Sequence, residues 1–407
     1  MKVSLQTASN EVVLFPFEGK RELTDKWEQI AREGKSIDEY HFIGHGGMYG
    51  PMYGSTAYPE QFSPFELKNL KIPFSENGKA YIHCCRSARW FAPFFARHQN
   101  VTTYGYHWYT AFTADKNKYK RVSNQSENVY AIGCPGKKSH GWIGSIKKHL
   151  LSGQLESLKE FPANTENVDA TYNKVANLYD AVFRDIKVRK DEWNWFQQEL
   201  PENAENKVVA EIGCGNGALL KELSPSIKLG IGLDLSENLL KRARILNQEK
   251  ENLDFRQING PELPLEDNSV DIFISMLSFR YLDWDPLMLE LKRVMKPNGQ
   301  ILIIDMVTAP LKPKEYGKFI FDKIRQNIGK NTNKEFKQNL NKLVTHPDWK
   351  VMLKYNPIRS EHEMRWYLES RFPGRKVEII NMGYHSRMMA FNSGNIENMK
   401  DIKLTYP

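Results

Sequence analysis

Cysteine is scarce: the chain has four in 407 residues, at positions 84, 85, 134 and 214. They are too few and too irregularly spaced for a disulfide framework, so a reducing, cytoplasmic setting is expected. There is no run of about eighteen apolar residues, and no membrane-spanning helix is expected. Met1-Lys2-Val3-Ser4-Leu5-Gln6 lacks the apolar core of a secretory signal, and none is expected. Neither Cys-x-x-Cys nor His-Glu-x-x-His is present, and no metal is assigned. Internal repeats and low-complexity tracts are also missing.

What is present is an ordinary globular composition, with 41% hydrophobic and 26% charged residues. The length exceeds that at which single cores stop growing, so two domains are expected. The net charge of +8 is uneven: residues 308–407 hold 19 Lys/Arg against 10 Asp/Glu, leaving the rest near neutral. Such a region could attract anionic substrates or nucleic acid, although the scattering of its charges favours a solvated, lysine-rich surface. Seven of the ten histidines and three of the four cysteines lie in the first 150 residues. The first half is therefore expected to have chemistry of its own.

Apolar runs at 11–17, 40–47, 79–85, 101–106 and 128–133 alternate with helical patterns at 23–34 and 90–98. Alternation of this kind implies a parallel, helix-covered sheet. A lysine-rich helical stretch and the polar segment 162–167 follow, and the boundary is placed at a linker, 161–170, between domains 1–160 and 171–407. In the second block, strands are expected near 208–212, 228–233, 253–258, 270–276 and 300–306, then a helical insert at about 310–368 and a closing strand pair around Gly383.

Val208 to Ile212 reads as a buried strand, followed by Gly213-Cys214-Gly215-Asn216-Gly217 and a helix opening at Ala218. Glycines are needed where a ligand lies against backbone. Glu211 sits where it can order the loop and, through it, the ammonium of a bound amino acid. Seventeen residues after Gly217, a second strand ends in Asp234, whose carboxylate can accept both hydroxyls of a ribose. The glycines alone also satisfy a dinucleotide fingerprint, and the rest of the block decides between the two. Residues 170–180, 263–271 (Leu-Pro-Leu-Glu-Asp-Asn-Ser-Val-Asp) and 289–299 stand in the order of the class I S-adenosylmethionine-dependent methyltransferases of the ubiquinone/menaquinone-biosynthesis type, which residues 171–306 resemble.

The resemblance implies a Rossmann-like α/β fold with a seven-stranded sheet and S-adenosylmethionine as cofactor. It places Tyr172, Tyr179, Glu211, Gly213, Cys214, Gly215, Gly217, Asp234, Leu235, Asn259, Gly260 and Met276 around that cofactor. Two departures stand out. Asn259 replaces the usual acid at adenine, although its carbonyl can still accept a hydrogen bond. Ser278-Phe279-Arg280-Tyr281-Leu282 follows the fourth strand, so acceptor-side residues do not carry over. Methyl transfer requires mainly positioning, with a base needed only if the acceptor must lose a proton. The candidates are Tyr281, His362 and His385. Ser275-Met276-Leu277-Ser278 is no Asn-Pro-Pro-Tyr motif, which argues against amino-group methylation of nucleic-acid bases.

In the first half, Tyr40-His41-Phe42-Ile43-Gly44-His45-Gly46-Gly47 and Tyr81-Ile82-His83-Cys84-Cys85 resemble the two active-site strand ends of caspase-like cysteine peptidases, including the CHAT type. The resemblance makes His45 and Cys85 the candidate base and nucleophile, 40 residues apart. Period-two alternation sends Cys84 and Cys85 to opposite faces. Metal binding by the histidine and cysteine cluster is a weaker alternative. The expected function is methylation of a small-molecule or peptide acceptor, assisted by the N-terminal domain. The alternatives are a cysteine peptidase or amidase fused to a methyltransferase fold, or an N-terminal scaffold that recruits partners.

Overall fold

The computed structural model describes residues 11–17, 19–47, 50–55, 58–62, 64–107, 109–113, 130–134, 158–165, 172–260, 262–309, 311, 313–330, 334–355, 359–383 and 386–401. Two compact units divide between Val168 and Asp169.

The first unit opens with helix α1 (Lys20–Arg32), then β1 (Ile37–Ile43), α2 (Pro64–Asn69), β2 (Phe74–His83), α3 (Phe91–Gln99), β3 (Thr102–Gly105) and β4 (Lys159–Phe161). The sheet order is β1-β2-β3-β4, with the first three strands parallel and β4 antiparallel to β3. One face carries Phe42, Ala80, Ile82 and Cys84, which pack on Leu23, Trp27, Phe91 and Phe95. Beneath them Lys20 and Glu66 form a buried ion pair at 3.0 Å. Two expectations fail here. Residues 11–17 form no strand, because Pro16 has no N–H for a ladder; Phe15 and Phe17 pack on the core instead. Residues Tyr130–Cys134 do form a strand, but it pairs antiparallel with Tyr109–Thr113 in a separate ribbon outside the parallel sheet.

The second unit holds α4 (Ala176–Phe183), α5 (Lys190–Glu199), β5 (Val208–Ile212), α6 (Ala218–Leu223), β6 (Leu229–Asp234), α7 (Glu237–Leu246), β7 (Leu253–Gln257), β8 (Val270–Met276), α8 (Trp284–Val294) and β9 (Met295–Thr308). Then come α9 (Tyr316–Lys330), α10 (Lys334–Thr345), α11 (Pro347–Tyr355), α12 (Glu361–Arg371), β10 (Glu378–Met382) and β11 (Ser386–Asn395). The sheet is seven-stranded and mixed, in the order β7-β6-β5-β8-β9-β11-β10, with β11 antiparallel to both neighbours. This is an α/β fold on a seven-stranded, mostly parallel sheet, of the Rossmann-like kind expected from the sequence. Apolar clusters cover both faces of the sheet. One gathers Leu287, Met288, Leu291, Leu368 and Phe372, and the other Phe196, Leu219, Leu220 and Leu240. Both faces being buried explains why the central strands are continuous apolar runs. The strand order reverses between β5 and β8, which opens a crevice at their carboxyl ends.

Candidate active site

The chain leaves β5 into the 213–217 loop at that crevice. Gly213 has φ +71, and a Cβ there would lie 2.3 Å from Ser278 Cβ, so no larger residue fits. The N–H groups of Gly213 and Cys214 both donate to the Leu233 carbonyl, at 2.7 and 3.1 Å, which pins the loop to β6. At Gly215 a Cβ would meet only Tyr179 Cε1, at 3.7 Å, so its outer side is open. Gly217 directly precedes α6. The Cys214 side chain is buried in the core beneath the loop, leaving only its backbone to face the crevice.

Two carboxylates stand behind this loop. Glu211 is buried, and its Oε2 has no hydrogen-bond partner among the described residues. Burial, with Asp234 nearby, pushes its carboxyl up to about 8. Asp234, at the end of β6, accepts from the Gly215 N–H at 2.9 Å and from the Ser236 N–H at 2.8 Å. Burial pushes its carboxyl up as well, while these backbone donors oppose the shift. Leu235 is 60% exposed, and Asn259 and Gly260 are exposed beyond the end of β7. Met276 is buried at the end of β8. After it, Leu277 adopts φ +60, a left-handed conformation rare for a side chain of this kind. Its N–H donates to the Ile304 carbonyl at 2.7 Å. The next residue, Ser278, donates from Oγ to the Ile212 carbonyl at 2.6 Å and lies 2.8 Å from Ser275 Oγ. β5 and β8 are thereby joined where the loop departs.

An aromatic cluster lies alongside. The Tyr172 and Tyr281 hydroxyls are 3.4 Å apart, and Tyr179 meets Tyr172 edge-on with ring centres at 5.3 Å. Trp349 of the insert approaches Tyr172 at 6.1 Å. Burial, together with Tyr281 beside it, raises the Tyr172 phenol well above its ordinary range. The Arg280 guanidinium lies 4.5 Å from the Tyr281 ring centre and is ion-paired with buried Asp305. His362 is exposed on α12, and His385 lies outside the described residues. Of the insert aromatics, Tyr316 and Phe321 are also exposed.

Sequence reasoning missed the network that holds α4 and α7 to the loop. Asn216 Nδ2 donates to Asp180 Oδ1 at 2.8 Å, while Arg184 and Arg242 donate to Asp180 Oδ2 at 2.7 and 3.4 Å. It also missed Ser278, Arg280 and Asp305. Asp180, Asn216, Ser278 and Arg280 stand within segments quoted above, but no local pattern gives their long-range partners.

In the first unit, Ile43 of β1 pairs with His83 of β2, so His45 and Cys85 each lie two residues past a matched position on parallel strands. Cys84 is buried against Gly46, whereas Cys85 is half-buried with its thiol 3.6 Å from Thr110 Oγ1. His45 is exposed. Beside them runs a chain not foreseen from the sequence. Glu39 Oε2 lies 3.2 Å from His41 Nε2, and His41 Nδ1 lies 3.2 Å from His83 Nε2. Burial first, and His41 second, push His83 down to about 3, so this pair is neutral at physiological pH. Among the described residues, no group of three or more His, Cys, Asp or Glu is arranged to hold a metal ion.

Against known proteins, residues 210–303 match the family described as a methyltransferase domain. The demethylmenaquinone methyltransferase of Lactococcus lactis subsp. lactis (strain IL1403) is 28% identical over 184 residues, 43% of this chain and 73% of that protein. That of Listeria monocytogenes serotype 4a (strain HCC23) is 28% identical over 148 residues, 34% of this chain and 62% of that protein. Among solved structures, an S-adenosylmethionine-dependent methyltransferase from Aquifex aeolicus is 19% identical, with 56% of this chain and 99% of that one covered, at a TM-score of 0.36. Geranyl diphosphate C-methyltransferase from Streptomyces coelicolor A3(2) is 15% identical, with 51% and 76% covered, at 0.31. Within the second unit, residues 210–303 thus form a methyltransferase domain. Its cofactor is S-adenosylmethionine, which makes the chain an S-adenosylmethionine-dependent methyltransferase.

Proposed function

We propose that the chain methylates a small-molecule or peptide acceptor at the carboxyl ends of β5, β6 and β8. The observation that carries this reading is the pair of buried carboxylates around an open glycine loop. Glu211 keeps an oxygen without a hydrogen-bond partner among the described residues, and a Cβ on Gly215 would meet only Tyr179 among them. A buried carboxylate without a partner is costly unless a ligand completes it. These residues therefore fit a cofactor that brings a cationic amino-acid end and a ribose. Glu211 would serve the ammonium through the loop, and Asp234 the ribose hydroxyls. Leu235, Asn259 and Gly260 would border the adenine, with Met276, Tyr172 and Tyr179 closing the inner wall. Bound S-adenosylmethionine supplies the methyl group.

On the acceptor side, where the acceptor must lose a proton, Tyr281 would take it as the phenolate, having first released its own proton to solvent. Tyr172, whose raised phenol keeps its own proton, would donate to that oxygen. The demethylmenaquinone methyltransferases, by their name, act on a small molecule. An acceptor of that size suits a site built of tyrosines and a tryptophan.

The test is calorimetric titration with S-adenosylmethionine. Wild type should bind in the micromolar range, and Asp234→Ala should abolish binding. A variant that binds like wild type would remove Asp234 from the site.

A second reading concerns the first unit: a caspase-like cysteine peptidase or amidase with His45 and Cys85. What favours it is their equal placement past paired parallel strands, with Cys84 turned into the core. Cys85→Ala should then abolish hydrolysis of peptide substrates and leave S-adenosylmethionine binding unchanged. Loss of methylation on Cys85→Ala would instead tie the first unit to acceptor delivery.

A further inference from the structure

One side of helix α9 is docked. Buried Asp322 accepts from the Met382 N–H at 3.0 Å, and Lys318 Nζ donates to the Ile379 carbonyl at 2.8 Å, so this side is tied to the edge strand β10. On its outer side Tyr316, Ile320 and Ile324 recur every fourth residue, with Phe321 beside them. These four are 48, 54, 56 and 65% exposed. Single exposed apolar residues are common on any surface, but four on successive turns of one helix face mark a contact site.

Charge indicates what the contact is. Residues 310–342 carry nine Lys/Arg and three Asp/Glu. Two of those acids are engaged within the fold, Asp322 by burial and Glu315 by its ion pair with Arg387 at 2.6 Å. Lys314 and Lys342 are exposed. We propose that α9 is an interfacial anchor that lays its apolar stripe on the surface of an anionic lipid bilayer, with the surrounding cations at the headgroups. An apolar groove on a protein would take the stripe without needing the positive charge around it. A second copy of this chain would bring the same charge and be repelled. Anionic lipid uses both features at once. The inference does not depend on which acceptor is methylated.

The experiment is co-sedimentation of the full chain with phosphatidylcholine vesicles containing phosphatidylglycerol, against phosphatidylcholine alone. Wild type should bind the anionic vesicles, and added salt should weaken the binding. The double variant Ile320→Gln/Ile324→Gln should lose about tenfold or more in vesicle affinity. It should keep its melting temperature and its S-adenosylmethionine binding, because both positions are exposed. The proposal is overturned if wild type ignores both vesicle types or if the double variant binds them equally well. It is also overturned if wild type forms a dimer that the double variant dissolves while vesicle binding is absent.

Discussion

Glu211 is the residue whose ionisation bears most directly on cofactor binding. Its carboxyl is raised from an ordinary 4.5 to about 8 by burial, so in the free protein near neutral pH it carries a proton. For stability the sign follows from linkage. The folded state holds this proton more tightly than the unfolded state does, so the advantage is full below 4.5 and is lost as pH rises through about 8. Glu211→Gln should therefore flatten the fall in apoprotein stability across that window, as read by denaturant unfolding at several pH values. For binding, a cationic ammonium favours the ionised carboxylate. Binding near neutral pH should then release up to about one proton per site, fading above the raised pKa. Titration in buffers of different ionisation heat measures that release. Equal proton release by wild type and Glu211→Gln would show that another group titrates.

At the scale of the element, the 213–217 loop separates what the fold needs from what the ligand needs. Gly213→Ala forces a Cβ to 2.3 Å from Ser278 Cβ at a left-handed φ, and should cost roughly 1–3 kcal/mol or more of stability. Gly215→Ala meets only an ordinary contact with Tyr179, so beyond its φ strain it should cost less stability than Gly213→Ala yet impair cofactor binding just as much. Thermal melts paired with titration distinguish the two; equal destabilisation by both substitutions would mean that the loop's glycines serve folding alone. This loop and strands β5 and β6 were legible because a buried strand writes itself as a largely apolar run, closed here by glycine and by an acid. Other parts were not. β9 begins at Met295, earlier than its apolar run, because pairing of Met295 with Val270 extends it through a turn-like Pro-Asn-Gly. The insert reads as one helical stretch, but its described residues form four α-helices, with Pro347 opening α11 where a proline fits the first turn. The Asp180–Asn216 and His41–His83 contacts join residues 36 and 42 apart in sequence, a distance at which no local period reports them.

The whole molecule consists of two units, each with its own buried core: Leu23, Trp27, Phe42 and Phe91 in the first, Phe273, Leu287, Phe279 and Leu368 in the second. A ligand stabilises only the part it binds, by RT ln(1 + [L]/Kd), or about 2.7 kcal/mol at a hundredfold excess over Kd. If each core melts by itself, differential scanning calorimetry should resolve two transitions, and S-adenosylmethionine should raise one of them. Asp234→Ala should remove that shift and leave the other transition in place, while Cys85→Ala should leave the shift intact. Acidification should act on the first unit, where His41 and His83 are held neutral by burial. A histidine with a lowered pKa contributes stability above its ordinary 6.5, and that contribution is lost as pH falls toward about 3. The transition insensitive to cofactor should therefore be the one that drops when the pH is lowered below about 6.5. A single transition displaced as a whole by S-adenosylmethionine would show instead that the two cores unfold together, and an effect of the first unit on methyl transfer could then be transmitted through stability alone.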